Sequence, residues 1–464
     1  MIDTGGATLA RRLERYRAAA QILGTRDDPP PTDTPSEALA EHLAAATGGE
    51  VVTTAEGIIV RCEAPARAIP VDRERLARLP GQPPPDAPLV CLDTETTGLA
   101  TAAGTVAFLI GLGWWDDDRF RQVQLLLPDH AHERALLTAL AATIAPTAWL
   151  VTYNGRGFDW PLLVARFRMT RRAAPLHAGH LDLLPIVRRL FRHRMDDARL
   201  RTAEAQLLGL HRIGDVDGSE IPGRYLRFLR SGVPDELVDV VRHNDQDVRS
   251  LARLLAHIEV HLGDPDRRSE APAGDLAGLA RAFTREHRLR EALQCLDDAT
   301  IRANAPVPGG DIGMTWSPSS RGGEPWWSAR TPADFGGTPR RPLDGLGPPR
   351  TAAFQVPWSQ DRIAIDRAHL LRRLGRHAES AEVWESLAAG VGRTAIVASI
   401  ELAKVHEHRL RDREAATRAT LRGLAIVERR RMIGRPEPAL EADLVRRLRR
   451  LRRRVLAKDS RSVA

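Results

Sequence analysis

Two carboxylates stand two residues apart in Cys91-Leu92-Asp93-Thr94-Glu95-Thr96-Thr97-Gly98, directly after an apolar run that begins at Leu89. In an extended strand, side chains i and i+2 lie on the same side, so Asp93 and Glu95 are expected to converge on one spot. Like charges forced together repel and raise each other's pKa unless a cation sits between them. A hard, oxygen-seeking ion such as Mg²⁺ or Mn²⁺ is the natural occupant. A solvent-facing acidic strand end is the plainer alternative. It would need neither the apolar lead-in nor the turn Thr96-Thr97-Gly98.

A third carboxylate comes in Tyr153-Asn154-Gly155-Arg156-Gly157-Phe158-Asp159, where a strand is expected to run through a glycine-permitted turn into a helix. Asn154 and the turn amides are candidates for contacting a substrate phosphate or sugar. Read alone, Asp159 is also a candidate helix N-cap, and the two roles are compatible. The last two groups lie in His243-Asn244-Asp245-Gln246-Asp247. His243 and Asp247 fall at i and i+4 of an expected helix, hence on one face. A histidine of ordinary pKa, about 6.5, suits taking a proton from water near neutral pH. A surface or capping histidine is the alternative. Asp245 is an alternative ligand, though it points to another helix face, and Asp182, after His180-Leu181, reads as a supporting acid or a cap.

The apolar pattern shows which elements must hold these groups. Residues 89–92 read as a strand buried on both faces. Residues 108–115 and 120–127 form a hairpin around an acidic turn, and 149–153 is another buried strand. Helices are expected over 133–144, 159–167, 183–191, 202–208 and 234–258. Together these make a mixed α/β domain spanning 88–262. Residues 1–87 carry helices at 9–23 and 37–45 and a hairpin of 50–54 with 57–62, ending in a Pro-rich linker over 80–88. A helical pair occupies 263–305. A Gly/Pro-rich linker or insertion, holding Trp326-Trp327, covers 306–358. Those tryptophans either stack on unpaired bases or pin the segment to the tail.

Residues 359–464 read as helical, with helix pairs in 363–387 and 400–426 and a basic helix over 446–454 that could add nucleic-acid affinity. Ala381 and Ala415 recur 34 residues apart, and Arg373-Leu374-Gly375-Arg376 resembles a tetratricopeptide turn. The tail therefore reads as helical repeats of that kind, with a plain bundle as the alternative.

Composition bounds the function. The 464 residues are 43% hydrophobic and 28% charged, enough apolar material for several cores and too much for a disordered chain. The formal charge is +8, carried almost wholly by arginine, since Lys404 and Lys458 are the only lysines. That balance favours an anionic polymer as partner, with a solvated arginine-rich surface as the alternative. Cys62, Cys91 and Cys295 are scattered with no CxxC spacing, which argues against a disulfide framework or a structural zinc. No secretory signal pattern and no membrane-length apolar run is found, so a soluble, reducing, cytoplasmic setting is expected.

Taken in order, the three acidic segments resemble the exonuclease motifs of the DEDD superfamily, and most of all the bacterial YprB-like group of ribonuclease H-like proteins. That group also shows a segment like residues 200–225 here, with Leu207-Leu208-Gly209-Leu210, Arg212 and Ile221-Pro222-Gly223, and tends to have a helical-repeat tail. The resemblance covers about residues 48–262 well and the tail loosely. It implies an α/β fold, a ribonuclease H-like mixed sheet flanked by helices, followed by an α-helical repeat-like domain. It further implies Asp93, Glu95, Asp159 and Asp247 as ligands of two Mg²⁺ or Mn²⁺ ions, with His243 as the base. One departure is visible. Superfamily members with a histidine base usually have four residues between it and the last Asp. Here there are three, the spacing of members with a tyrosine base.

The activity implied is 3′–5′ exonucleolytic hydrolysis of DNA or RNA, at a single-stranded end, by in-line attack of water on the terminal phosphodiester. Thr96, Asn154, Arg192 and Arg194 are the candidate substrate contacts, the two arginines within a wider run of Arg188, Arg189, Arg199 and Arg201. The rival expectation is a ribonuclease H-like scaffold, weak or inactive in catalysis, whose helical repeats hold a protein partner. Retention of all four acids argues against it, because clustered negative charge gains a nucleic-acid binder nothing. A nucleotidyl transferase would need a Gly-rich phosphate loop that the sequence lacks.

Overall fold

The computed structural model describes residues 35–98, 104–304 and 360–462, with side chains placed through 453. The expected helix at 9–23 and the whole Gly/Pro-rich segment over 306–358, Trp326-Trp327 included, lie outside the described residues. The chain divides into two units. One holds residues up to 188 and 194–264; the other holds 189–193 and the helical remainder from 265.

The apolar runs of the first unit build one seven-stranded sheet. Its strands are β1 (Glu50–Thr54), β2 (Gly57–Ala68), β3 (Leu89–Thr96), β4 (Ala107–Asp116), β5 (Arg119–Leu126), β6 (Trp149–Thr152) and β7 (Gly179–Asp182), in the order β1-β2-β5-β4-β3-β6-β7. Strands β1 to β5 pair antiparallel, whereas β6 is parallel to both β3 and β7. Leu89 to Leu92 of β3 are buried without a break, and alternation begins at Asp93. That is the signature of a central strand covered on both faces, with its polar C-terminal end at the sheet's rim. Asp117 turns the β4–β5 hairpin at φ 52°, a left-handed conformation that Asp tolerates.

Two features differ from the sequence reading. Strand β2 continues to Ala68, and its far half pairs with β5 (Ala64↔Gln122, Arg67↔Phe120), so the sheet reaches across the Pro80–Pro88 segment that reads as a linker. Strand β7 was not expected. It is four residues long, two of them polar, so it has no apolar period to betray it.

Around the sheet lie α1 (Ser36–Thr47), α2 (Arg73–Ala77), α3 (Glu133–Thr143), α4 (Asp159–Met169), α5 (Leu183–Phe191), α6 (Leu200–Ala203, running into a π turn at Glu204–Leu208), α7 (Ile221–Ser231) and α8 (Asp235–Ile258). Helices α1 and α3 pack on β2, and α8 lies on β3, β4 and β5. Tyr225 of α7 stacks on Phe108 with ring centroids 4.1 Å apart, and its hydroxyl donates to the Leu127 carbonyl (3.0 Å). This satisfies the one polar atom of a large buried side chain. Arg166 of α4 makes a two-pronged bond to Glu133 of α3 (2.5 and 2.6 Å), with both side chains 11% exposed. Glu133→Gln leaves the guanidinium buried with a weaker partner. It should cost about 2 kcal/mol in denaturant titration, and an unchanged midpoint would show the pair to be neutral.

The second unit is helical: α9 (Pro265–Arg268), α10 (Ala273–Arg285), α11 (Leu289–Asn304), α12 (Gln360–Arg373), α13 (His377–Ala388), α14 (Arg393–Val405), α15 (Arg413–Met432) and α16 (Pro438–Ser462). From α10 on, each helix packs against the next in sequence. A turn with Gly375 at φ 78° joins α12 to α13. Helix lengths of 14, 12, 13 and 20 residues from α12 to α15 are uneven for a regular repeat. Within the basic stretch of α16, buried Arg447 and exposed Arg450 both bond the buried Glu407 (2.8 and 2.6 Å). Among the described residues, no helix is long and apolar enough to cross a membrane, and Cys62, Cys91 and Cys295 are free and buried.

Candidate active site

Strand β3 delivers Asp93 and Glu95 by alternation, at the point where its double-sided burial ends. Helix α8 brings His243 and Asp247 to the same place, and its docking depends on polar groups. Gln124 of β5 donates to the Val241 carbonyl (2.8 Å) and to Asn244 Oδ1 (2.9 Å), and Gln122 donates to the Asp245 carbonyl (2.9 Å). Fully buried Asn244 in turn donates from Nδ2 to Asp93 Oδ2 (2.9 Å). Gly111 of β4 makes this approach possible. A Cβ there would stand 2.2 Å from Asn244 Oδ1 and 2.7 Å from Val248 Cγ2.

Asp159 is the first residue of α4, whose N-cap position is Phe158, so its side chain is not the cap. It is 6% exposed and accepts from Thr94 Oγ1 at 2.5 Å, Thr94 alternating away from the Asp93/Glu95 side of β3. The loop leading to it is held by Asp182, which accepts from the amides of Asn154 (2.8 Å), Arg156 (3.3 Å) and Leu184 (3.1 Å). The turn amides expected to meet a phosphate are thus partly engaged inside the protein. Asn154 itself is exposed at φ 68°.

The four acids feel one another. Burial first, then charges on Asp247, Asp159 and Glu95, push the Asp93 carboxyl well above its ordinary range. Glu95 is raised in the same way by burial, Asp247 and Asp159. Burial pushes Asp159 up to about 6, and burial also raises Asp247. His243 Nε2 lies 3.8 Å from Glu95 Oε1 and 3.6 Å from Asp247 Oδ2, and these three side chains are 13–15% exposed.

Sequence reasoning named Arg212 without giving it a role and missed the other groups behind this cluster. Arg212, with its side chain 3% exposed, bonds Asp247 Oδ1, both oxygens of fully buried Glu204 (2.6 Å each) and Asp215 (3.1 Å). Asp215 Oδ1 lies 2.6 Å from His243 Nδ1, and Ser250 donates to Glu204. The acids around Arg212 outweigh burial and hold its guanidinium charged. Among the described residues, no three His, Cys, Asp or Glu side chains are assembled as a ready metal cage. The donor set still suits a hard divalent cation: four carboxylates, mutually repelling, with one oxygen each of Asp93, Asp159 and Asp247 fixed by a protein donor.

The other sequence-predicted contacts are dispersed. Thr96 is buried, and its hydroxyl donates to the Gly98 carbonyl (2.6 Å). Arg192 is exposed and Arg194 half-buried. The arginine run divides between the units, with Arg188, Arg194, Arg199 and Arg201 in the first and Arg189 and Arg192 in the second.

Residues 90–259 match a family model described as the RNase H superfamily. The chain is also 37% identical over 217 residues to the uncharacterized protein YprB of Bacillus subtilis (strain 168), an alignment covering 45% of this chain and 51% of that protein. The chain thus spans about half the length of the curated relative it matches. The seven-stranded mixed sheet with flanking helices is a ribonuclease H-like domain, followed by a helical C-terminal region. Nucleases of that superfamily generally use divalent metals.

Proposed function

We propose that the sheet unit is a metal-dependent 3′–5′ exonuclease that hydrolyses phosphodiester bonds of DNA or RNA. The observation that carries this reading is geometric: Asn244 of α8 bonds Asp93, His243 lies within 3.8 Å of both Glu95 and Asp247, and Thr94 of β3 bonds Asp159, so three separate stretches of chain bring their acids together. Asp93, Glu95, Asp159 and Asp247 would hold two Mg²⁺ or Mn²⁺ ions. Bound there, such ions supply positive charge to the reacting phosphate and make water more acidic. Asn244, Thr94 and Arg212 keep the acids in register by holding one oxygen each. His243 takes the proton from the attacking water at Nε2. Asn154 and Arg194 would contact the strand's phosphates or sugars, which gives affinity without sequence choice; Thr96, buried with its hydroxyl on the Gly98 carbonyl, and Arg192, in the helical unit, are left out of that set. Purified protein with Mg²⁺ or Mn²⁺ and end-labelled DNA and RNA oligomers should give a ladder shortening from the 3′ end. Loss of the ladder in Glu95→Gln is the control, and cleavage by that variant at the wild-type rate would refute the assignment.

A bound ion also predicts a stability effect. Each raised carboxylate binds protons more readily folded than unfolded, so the metal-free protein loses stability as pH rises through the window from about 4 to the folded pKa, about 6 for Asp159. The ion binds the deprotonated acids, so the melting-temperature gain from Mn²⁺ should grow from pH 5 to pH 8. The corresponding stabilisation free energy should be about 2.7 kcal/mol at a hundredfold excess over Kd. A gain that shrinks with pH would contradict carboxylate ligation.

One observation favours a second reading. Arg212 already bonds Asp247, and no three acids close into a cage among the described residues, as a scaffold weak in catalysis would have it. The helices from α10 onward would then serve a protein partner. Calorimetry with Mn²⁺ separates the two readings. The enzyme binds the ion and loses it in Asp93→Asn, whereas the scaffold binds it in neither form.

A further inference from the structure

We infer that Asp215 is a positioning residue that fixes His243 in the tautomer with hydrogen on Nδ1, leaving Nε2 as the proton acceptor turned toward Glu95 and Asp247. The inference rests on His243 acting as the base in the proposed reaction. Asp215 sits in the non-helical stretch Gly214-Asp215-Val216-Asp217-Gly218, between the π turn after α6 and the start of α7. Its Oδ1 meets His243 Nδ1 at 2.6 Å and accepts from the Val216 amide at 3.0 Å, while Arg212 Nη1 holds Oδ2 at 3.1 Å. Burial alone would raise this carboxyl. The bonds from His243 and Arg212 outweigh it and keep the group below its ordinary range.

An ionised carboxylate only accepts, so the hydrogen in the short contact belongs to the imidazole Nδ1. In a neutral ring Nε2 then carries the lone pair. The 3.6 and 3.8 Å separations from Asp247 and Glu95 are too long for direct hydrogen bonds and leave Nε2 unengaged by either acid. Arg212 bonds Asp215 and Asp247 together, so the orienting group and the last acid of the cluster share one rigid clamp, itself anchored on buried Glu204. Arg212 Nη1 also lies 3.4 Å from His243 Nδ1 and could donate only to a ring with no hydrogen there, but the ionised Asp215 oxygen at 2.6 Å is much the closer partner and favours the Nδ1–H form. This arrangement answers the unusual spacing. With three residues between His243 and Asp247, the ring is aimed from outside the helix, by an acid that the three acidic segments do not contain.

The test uses the full chain labelled with ¹⁵N-histidine, with His243 assigned by comparison with His243→Gln. Two-bond ¹⁵N–¹H spectra at pH 8 should show a protonated Nδ1 and an unprotonated Nε2 in the wild-type protein. Asp215→Asn, nearly identical in shape, can offer its amide hydrogens to Nδ1 and should shift the ring toward the Nε2–H form. In the nuclease assay the same variant should lose kcat on the order of 10³-fold with KM nearly unchanged, and Asp215→Glu should recover part of it. The inference is overturned if the wild-type ring carries hydrogen on Nε2, alone or with Nδ1, or if Asp215→Asn leaves the tautomer as it was. Should the wild-type protein cleave nothing, the nuclease reading fails while the spectra still decide the role of Asp215.

Discussion

Asparagine in place of Asp93 is expected to abolish activity while making the metal-free protein more stable. Both effects follow from one cause. Asp93 is pushed far above the ordinary carboxylate range by burial and by three neighbouring acids, so the folded protein bears a repulsion that the unfolded chain does not. Asparagine keeps the shape and an oxygen for Asn244 Nδ2 but removes the charge. Several kcal/mol of transition-state stabilisation should go with the lost ligand, a fall in kcat on the order of 10³-fold or more. Relief of repulsion should raise stability by about 1 kcal/mol, some 2–4 °C in melting temperature for a unit of this size. In Mn²⁺ the order should reverse, because the wild-type protein gains from the ion and the variant does not. Steady-state cleavage and calorimetric melting, each with EDTA and with Mn²⁺, check the pair. An Asp93→Asn protein that melts lower than wild type in EDTA would mean that the acids are not in conflict, and the case for a cation between them would lose its footing.

How much of this was legible beforehand follows from the range of the interactions involved. Strand β3 announces itself because Leu89 to Leu92 are apolar without interruption, and the i, i+2 rule then places Asp93 beside Glu95. Helix α8 is similarly plain, since Val240, Val241, Val248 and Leu251 supply its buried flank and fix the face on which His243 and Asp247 stand. What stayed hidden depends on partners far away in sequence. Gln122 and Gln124 look like ordinary outward polar residues of a hairpin, yet both are buried and hold α8. Asp182 could be read only as a support or a cap, because its role is to gather amides from a loop 28 residues earlier. Asp215 carries no periodic signal at all. It lies between Gly214 and Val216 in a short irregular stretch, and only folding brings it to His243. Local pattern fixes the acids; long-range hydrogen bonds decide how they are held.

The same reasoning picks out Gly111 as a position where one methyl group should undo the site from behind. Strand β4 faces α8 at its tightest point here, opposite Asp93 in the sheet register. A Cβ would stand 2.2 Å from Asn244 Oδ1 and 2.7 Å from Val248 Cγ2, and both neighbours are fully buried. Neither can swing into solvent. Asn244 is held by Gln124 and in turn holds Asp93, so it cannot rotate without leaving a buried amide and carboxylate unsatisfied. The alternative is for α8 to lift from the sheet, carrying His243 and Asp247 with it. Gly111→Ala should therefore cost about 3 kcal/mol, the upper part of the range for overpacking a tight core. Cleavage should also fall by on the order of 10²-fold, the scale of a displacement of about 1 Å at a reacting centre. The informative comparison is Gly113→Ala, whose added methyl would meet Phe120 Cζ at 2.2 Å, away from the acids. Both variants should be destabilised in denaturant titration, but at a temperature where both remain folded, Gly113→Ala should cleave normally and Gly111→Ala should not. Equal cleavage by the two would mean that the docking of α8 through Asn244 does not set the geometry of the four carboxylates.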